Sequence, residues 1–258
     1  MTASAGPVGT HGVGCTIRKL RNLGLDDEAD LQAFVALIKT KADTGRGKEI
    51  MGAGTSHSTV LLDGVACSCE SLEDGRRQIY AFQLPGDFCD LHRYVLPEQN
   101  GAAAVVALTD CSVGIIRYCD LDRTLARHPK LGLALWRATL LEASISRTRI
   151  FNVSRRPALQ RVAHLLCELL ARRETIGING GVIPLSQIDL ADATGLSVVH
   201  LNRTTQGLRA LGVLSQETRA IEVMDRERLL QLANFDDRYL NMAAALSHWK
   251  VEVDGPLN

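Results

Sequence analysis

The chain has 258 residues, 46% of them apolar, and carries 29 Lys and Arg against 29 Asp and Glu. That composition is ordinary for a globular chain that buries a core, and the length suits two domains or one with an appendage. No apolar run approaches the roughly 20 residues of a membrane span, and an odd set of seven cysteines without an export signal argues against structural disulfides.

Residues 1–16 are small and flexible in composition, without the basic start and apolar core of a secretory signal. They read as a disordered leader on a cytoplasmic protein. From Ile17 to about Lys41 the pattern is helical, with Asp26 or Asp27 placed to cap a helix that turns Leu31, Phe34, Val35 and Ile38 inward. From Gly45 the texture changes to short β-prone runs: Glu49–Met51, Ser58–Leu62, Val65–Ser68, Gln78–Leu84, Ala103–Leu108 and Ser112–Arg117. Asp74-Gly75 marks a hairpin between two of them, and Pro85-Gly86-Asp87 a tight turn. Many short strands imply a small β-roll over 17–119 rather than a βαβ fold. Cys67 and Cys69 would share one face of a strand. Two small half-buried residues are the better reading, with a metal pair as the alternative.

Residues 120–153 turn helical again, broken near His128-Pro129. One seam of the longer helix reads Leu131, Ala134, Ala138, Leu141, Ile145, Thr148, and a second reads Trp136, Leu140, Ala143, Ile150. One stripe suffices for the chain's own β-domain, so two stripes predict a partner helix in a parallel homodimer. The first seam is taken as the dimer interface, with burial inside the same chain as the alternative.

Ser154 is expected to cap a helix running to Arg173, with Leu159, Val162, Leu166 and Leu169 inward. Gly177–Gly181 lacks the Lys-Ser/Thr ending of a phosphate loop and reads as a linker. Then come two short helices around a turn. Ser186 caps the first, Leu190 and Ala191 face inward, Gly195 supplies a positive φ, and Ser197 caps the second, whose inward positions are Leu196, Leu201 and Leu208. This is the helix-turn-helix pattern, whose second helix enters a DNA major groove. Val213–Ser215 and Ile221–Val223 form a small hairpin behind it, a wing. Asp225 caps a last helix to Asn234, and residues 235–258 form a tail. The whole reads as α+β, with a winged helix-turn-helix over 154–234. Between Arg147 and Arg219 ten arginines face five acids, so the basic excess lies where the helix-turn-helix lies. The exposed face of the second helix offers Val198, Val199, His200, Asn202, Arg203 and Gln206. Arg203 suits guanine O6/N7 and the valines suit thymine methyls, while Ser197, Asn202 and Arg209 are phosphate candidates. No nucleophile, base and orienting acid stand at a recognisable spacing, which argues against an enzyme.

The order of parts resembles the Crp/Fnr family of bacterial transcription regulators. Four phrases carry the resemblance: Asp74-Gly75-Arg76-Arg77-Gln78-Ile79, Pro85-Gly86-Asp87-Phe88-Cys89-Asp90-Leu91, Ala163-His164-Leu165-Leu166-Cys167-Glu168-Leu169 and Val199-His200-Leu201-Asn202-Arg203-Thr204. It covers about residues 17–234. It implies a cyclic-nucleotide-binding-like sensor domain, a dimerisation helix and a winged helix acting on a near-palindromic promoter site, with RNA polymerase as a further partner. By position, it assigns base reading to Val198, Val199 and Arg203. It also implies an effector pocket, where Cys89-Asp90 replaces a Gly-Glu pair and Gly101-Ala102 replaces an Arg-Ser pair. Without an arginine a cyclic phosphodiester loses its charge-assisted contacts, which argues against cyclic-nucleotide control. Cys15 alone near the N-terminus argues against an iron–sulfur cluster of the family's kind. His57, His92 and His128 stay open as haem ligands. The alternative to a regulator controlled by an unidentified signal or by its abundance is a redox-, haem- or metal-responsive sensor whose DNA binding is conditional, using Cys67, Cys69 and Cys89. No cofactor is assigned or required.

Overall fold

The computed structural model describes residues 10–51, 56–96, 104–216 and 221–240. Its first helix, α1 (Thr10–Asn22), begins inside the stretch expected to be a flexible leader, and Cys15 and Thr16 are fully buried. Gly12 serves close packing. A Cβ on Gly12 would sit 2.3 Å from the Leu62 carbonyl oxygen, so only glycine lets α1 lie this near the strand beneath it. Helix α2 (Glu28–Val35) is capped by Asp27, which accepts from the N–H groups of Ala29 (2.9 Å) and Asp30 (3.2 Å).

Seven strands follow, interrupted by the short helix α3 (His92–Val95). They are β1 (Thr40–Thr44), β2 (Glu49–Met51), β3 (His57–Asp63), β4 (Ala66–Ser71), β5 (Arg77–Gln83), β6 (Ala104–Ala107) and β7 (Cys111–Arg117). They pair antiparallel in two sheets, ordered β1-β7-β3 and β2-β6-β4-β5. Strand β1 escapes the sequence pattern because Thr-Lys-Ala-Asp-Thr has no apolar alternation; pairing with β7 makes it an edge strand. The β4–β5 hairpin closes at Asp74-Gly75, where Gly75 takes φ +83. Leu61, Ala66, Cys89, Val105, Ala107, Cys111 and Val113 form a buried cluster drawn from both sheets.

After α4 (Tyr118–Leu125) comes α5 (Pro129–Arg155), 27 residues and about 40 Å long at 1.5 Å per residue. It runs through Ser154, which donates to the Phe151 carbonyl and caps nothing. The break falls at Pro157, because the residue before proline is pushed out of the helical region; Arg156 is extended at φ −83, ψ 143. Helix α6 (Ala158–Thr175) then turns away, and ten consecutive residues from Val162 to Ala171 are buried. A helix buried on every side must be surrounded, and α6 packs against α5, α7 (Gln187–Thr194), α8 (Val198–Ala210) and α9 (Arg226–Ala233). The wing is a small sheet in which β8 (Val182–Ile183) pairs with β9 (Ile221–Glu222), and a bridge joins Leu214 to Val223. A 3-10 turn, Asp237–Leu240, ends the described chain.

One apolar cluster runs from the sheet into the helices, joining Cys67, Cys69, Ile79 and Phe82 to Leu166, Leu190, Leu201 and Leu208. This explains why both cysteines of β4 are buried rather than half-exposed. The sheet's outer face is covered by the C-terminal helices.

Candidate nucleic-acid interface

Local chemistry positions the two helices of the motif. Ser186 and Asp189 form a reciprocal capping box on α7, satisfying two orphan N–H groups of the helix start. Gly195 ends α7 in the left-handed region at φ 64, and a Cβ there would press on Val153 Cγ1 at 3.2 Å. Ser197 caps α8 by accepting from the His200 N–H at 3.2 Å. Leu190, Leu201 and Leu208 are fully buried beneath the turn.

The opposite face of α8 is open. Ser197, Val198, Val199, His200, Asn202, Arg203 and Gln206 are all exposed, Val199 to 71%. Two uncovered valines one turn from an arginine make a surface that can meet thymine methyls and guanine acceptors together.

Arg209 departs from expectation. It is 3% exposed, and its Nε donates to the Ser215 carbonyl at 3.0 Å while Nη1 lies 3.4 Å from Thr205 Oγ1. It braces the end of α8 to Ser215, beside the Leu214–Val223 bridge of the wing, and does not stand on the open face. Sequence spacing placed it on the outer face; the wing folding back over it decides otherwise.

The seam assigned to dimerisation is also corrected. Leu131, Ala134, Ala138 and Ile145 are buried against the chain's own elements, and Leu141 packs with them. Thr148 is half-buried. The stripe left open is the other one: Trp136 is 63% exposed, Leu140 51% and Ile150 69%, with Leu133 beside them at 43%. The β-domain and α6 occupy the first seam, so only the second is available to a partner.

Of the effector-pocket residues, Cys89 and Asp90 are buried, and Gly101 and Ala102 lie outside the described residues. Asp90 accepts from Ser58 Oγ at 2.9 Å and the Thr59 N–H at 3.3 Å, and burial raises its pKa. Burial likewise pushes the Cys89 thiol up. Among the described residues no group of three or more His, Cys, Asp or Glu could hold a metal ion. His128 Nδ1 lies 2.7 Å from Asp30, and burial lowers the pKa of His92. Glu217–Arg219, in the expected wing turn, lie outside the described residues.

Residues 160–232 match the model of the Crp-like helix-turn-helix domain. The chain is 28% identical to the nitrogen fixation regulation protein FixK of Azorhizobium caulinodans, over 82% of this chain and 86% of that one. It is also 28% identical to the transcriptional activator protein FnrL of Cereibacter sphaeroides, over 92% and 97%. The solved structure of FixK2 from Bradyrhizobium japonicum superposes with a TM-score of 0.64 at 28% identity, covering 75% of this chain and 96% of that one. The chain carries a Crp-like helix-turn-helix domain and is a DNA-binding transcription regulator, similar along most of its length to regulators of the Crp/Fnr family.

In this regulator the sequence missed Arg77. Its side chain leaves β5 and reaches α7, with Nη2 2.9 Å from Asp189 Oδ1 and Nε 2.9 Å from Asp192 Oδ2. Nothing in the sequence pairs residues more than a hundred positions apart. The available signal was only that both acids sit at i, i+3 on one helix face. No helix among the described residues is long and apolar enough to cross a membrane.

Proposed function

We propose that this regulator binds a near-palindromic promoter site as a homodimer joined through the open stripe of α5, in the cytoplasm. Leu133, Trp136, Leu140, Ala143, Arg147 and Ile150 follow the three-four spacing of a coiled-coil seam, and their large apolar members are exposed in the single chain. Two such helices side by side would present two copies of α8 about 34 Å apart, one turn of duplex. Arg203 reads guanine, Val198 and Val199 contact thymine methyls, and His200 and Gln206 reach neighbouring base edges. Ser197 and Asn202 hold phosphates. RNA polymerase is the further partner, recruited once the dimer is seated.

The observation that carries this reading is the uncovered outer face of α8 on a helix whose inner face is fully buried. Sequence selection from random duplexes tests it. Enrichment of a two-fold site is expected, and Arg203→Ala should lose about 1–3 kcal/mol at one base position in each half-site while binding elsewhere in the site is kept. Failure to enrich any site would remove the reading.

A further inference from the structure

The residues matched by the helix-turn-helix model end at 232, yet the chain after α9 is tightly placed. Asn234 turns it with a left-handed φ of 44, and Phe235 and Tyr239 then pack around His164 of α6. The Phe235 ring meets the imidazole edge-on at 5.0 Å, and the Tyr239 ring stacks on it at 5.8 Å with 19° between planes. Burial, with Arg156 and Arg149 nearby, lowers the His164 pKa to about 4, so the imidazole is a neutral ring in this box.

The same segment reaches α5. Tyr239 Oη donates to Glu168 Oε2 at 3.1 Å, and Glu168 Oε1 accepts from Arg149 Nη2 of α5 at 2.6 Å. Arg149 and Glu168 are 6% and 2% exposed at their side chains, and a buried carboxylate oxygen left without a donor is costly. Tyr239 supplies that donor. Leu240 packs in a small cluster with Ile145 of α5 and Ala171 of α6. At the break itself, the last carbonyl of α9, that of Ala233, accepts from Arg156 Nη1 at 2.5 Å and Gln160 Nε2 at 3.3 Å, one on either side of Pro157.

We infer that Phe235–Leu240 is a strap across the α5–α6 break, and that Tyr239 is a positioning residue for DNA recognition. It fixes the angle at which the reading head leaves the dimer helix. Proline interrupts the helix and removes a backbone hydrogen bond, so side chains must hold that angle. An angle held in advance spares the ordering cost of binding two half-sites at once. The strap rests on the dimeric reading above, since its effect appears only when two heads must match one spacing.

The test uses full-length Tyr239→Ala and Tyr239→Phe beside the wild type. Each is titrated with the two-half-site duplex that the wild type enriches, the same duplex with one base pair inserted at its centre, and a single half-site. For Tyr239→Ala we expect about tenfold weaker binding to the correctly spaced duplex, unchanged half-site binding and reduced discrimination between the two spacings. Tyr239→Phe keeps the ring against His164 and loses the bond to Glu168, and should fall between. Amides of residues 158–162 should exchange faster in both variants. Equal losses on full and half-sites would mean a weakened domain and overturn the strap, as would unaltered spacing discrimination. A wild type that enriches only single half-sites would instead remove the dimeric reading on which the strap rests.

Discussion

Arg77 on β5 and Asp189 in the first helix of the motif meet at 2.9 Å, 112 positions apart in the chain. The carboxylate serves two structures at once. Its Oδ2 accepts from the Ser186 N–H at 3.0 Å and from Ser186 Oγ at 2.6 Å, which starts α7, while Oδ1 takes the guanidinium. Asp189 is 5% exposed, so its charge needs that partner. The sheet therefore holds the motif by α7 and leaves α8 uncovered.

Removing Arg77 leaves two carboxylates without their shared cation. Arg77→Ala should destabilise the fold by on the order of 1–3 kcal/mol, read as a lower Tm. A double-mutant cycle with Asp192→Ala should show coupling above about 0.5 kcal/mol. Strict additivity of the two changes would mean the contact contributes nothing.

The two arginines of α8 should separate cleanly. Arg203→Ala is expected to relax base preference with little change in Tm, because the side chain is exposed. Arg209→Ala should lower Tm, having lost the brace to Ser215, yet leave the salt slope of DNA binding unaltered, since no phosphate contact is removed. A shallower slope for Arg209→Ala would return that residue to the interface.

The two stripes of α5 make opposite forecasts. Leu140→Glu on the open stripe should leave the protomer folded and shift it towards monomer in sedimentation equilibrium. Ala138→Glu, in the buried stripe, should unfold it, because an unpaired buried charge is costly. A dimer that survives Leu140→Glu at low micromolar concentration would place the interface elsewhere.

Glu142 gives the junction a pH dependence. It faces a cavity of about 20 Å³ shared with Lys19, Asp87 and Arg172, with Asp90 close enough to add to the field. Burial first, and then Asp87, raise its pKa to about 7 from 4.5, against the opposing pull of Lys19 and Arg172. The unfolded chain loses this proton near 4.5 and the folded one near 7. The stabilisation is therefore complete below 4.5 and is lost as pH rises through 7. Glu142→Gln should raise Tm relative to wild type more at pH 8 than at pH 5. A difference in Tm that does not change with pH would refute it.

Sequence by itself determined the features that close over a few residues. Asp27, Ser186, Ser197 and Asp225 cap their helices because each side chain lies within a turn of an orphan N–H at its own helix start; Ser154 fails the same expectation because α5 runs on through it to the break before Pro157. Asp74-Gly75 and Gly195 turn the chain for the same local reason, and most strands follow from short apolar runs between such turns. Tertiary structure decided which apolar faces were already taken. Both stripes of α5 look alike along the sequence, and only the placement of the β-domain and α6 shows that Ala138 is covered while Leu140 is open. Arg209 looked exposed until the wing folded over it, Gly12 looked flexible until it met Leu62, and Arg77 gained its role from carboxylates a hundred residues away. Periodicity records that a face is apolar or a residue charged; what lies against it depends on contacts remote along the chain.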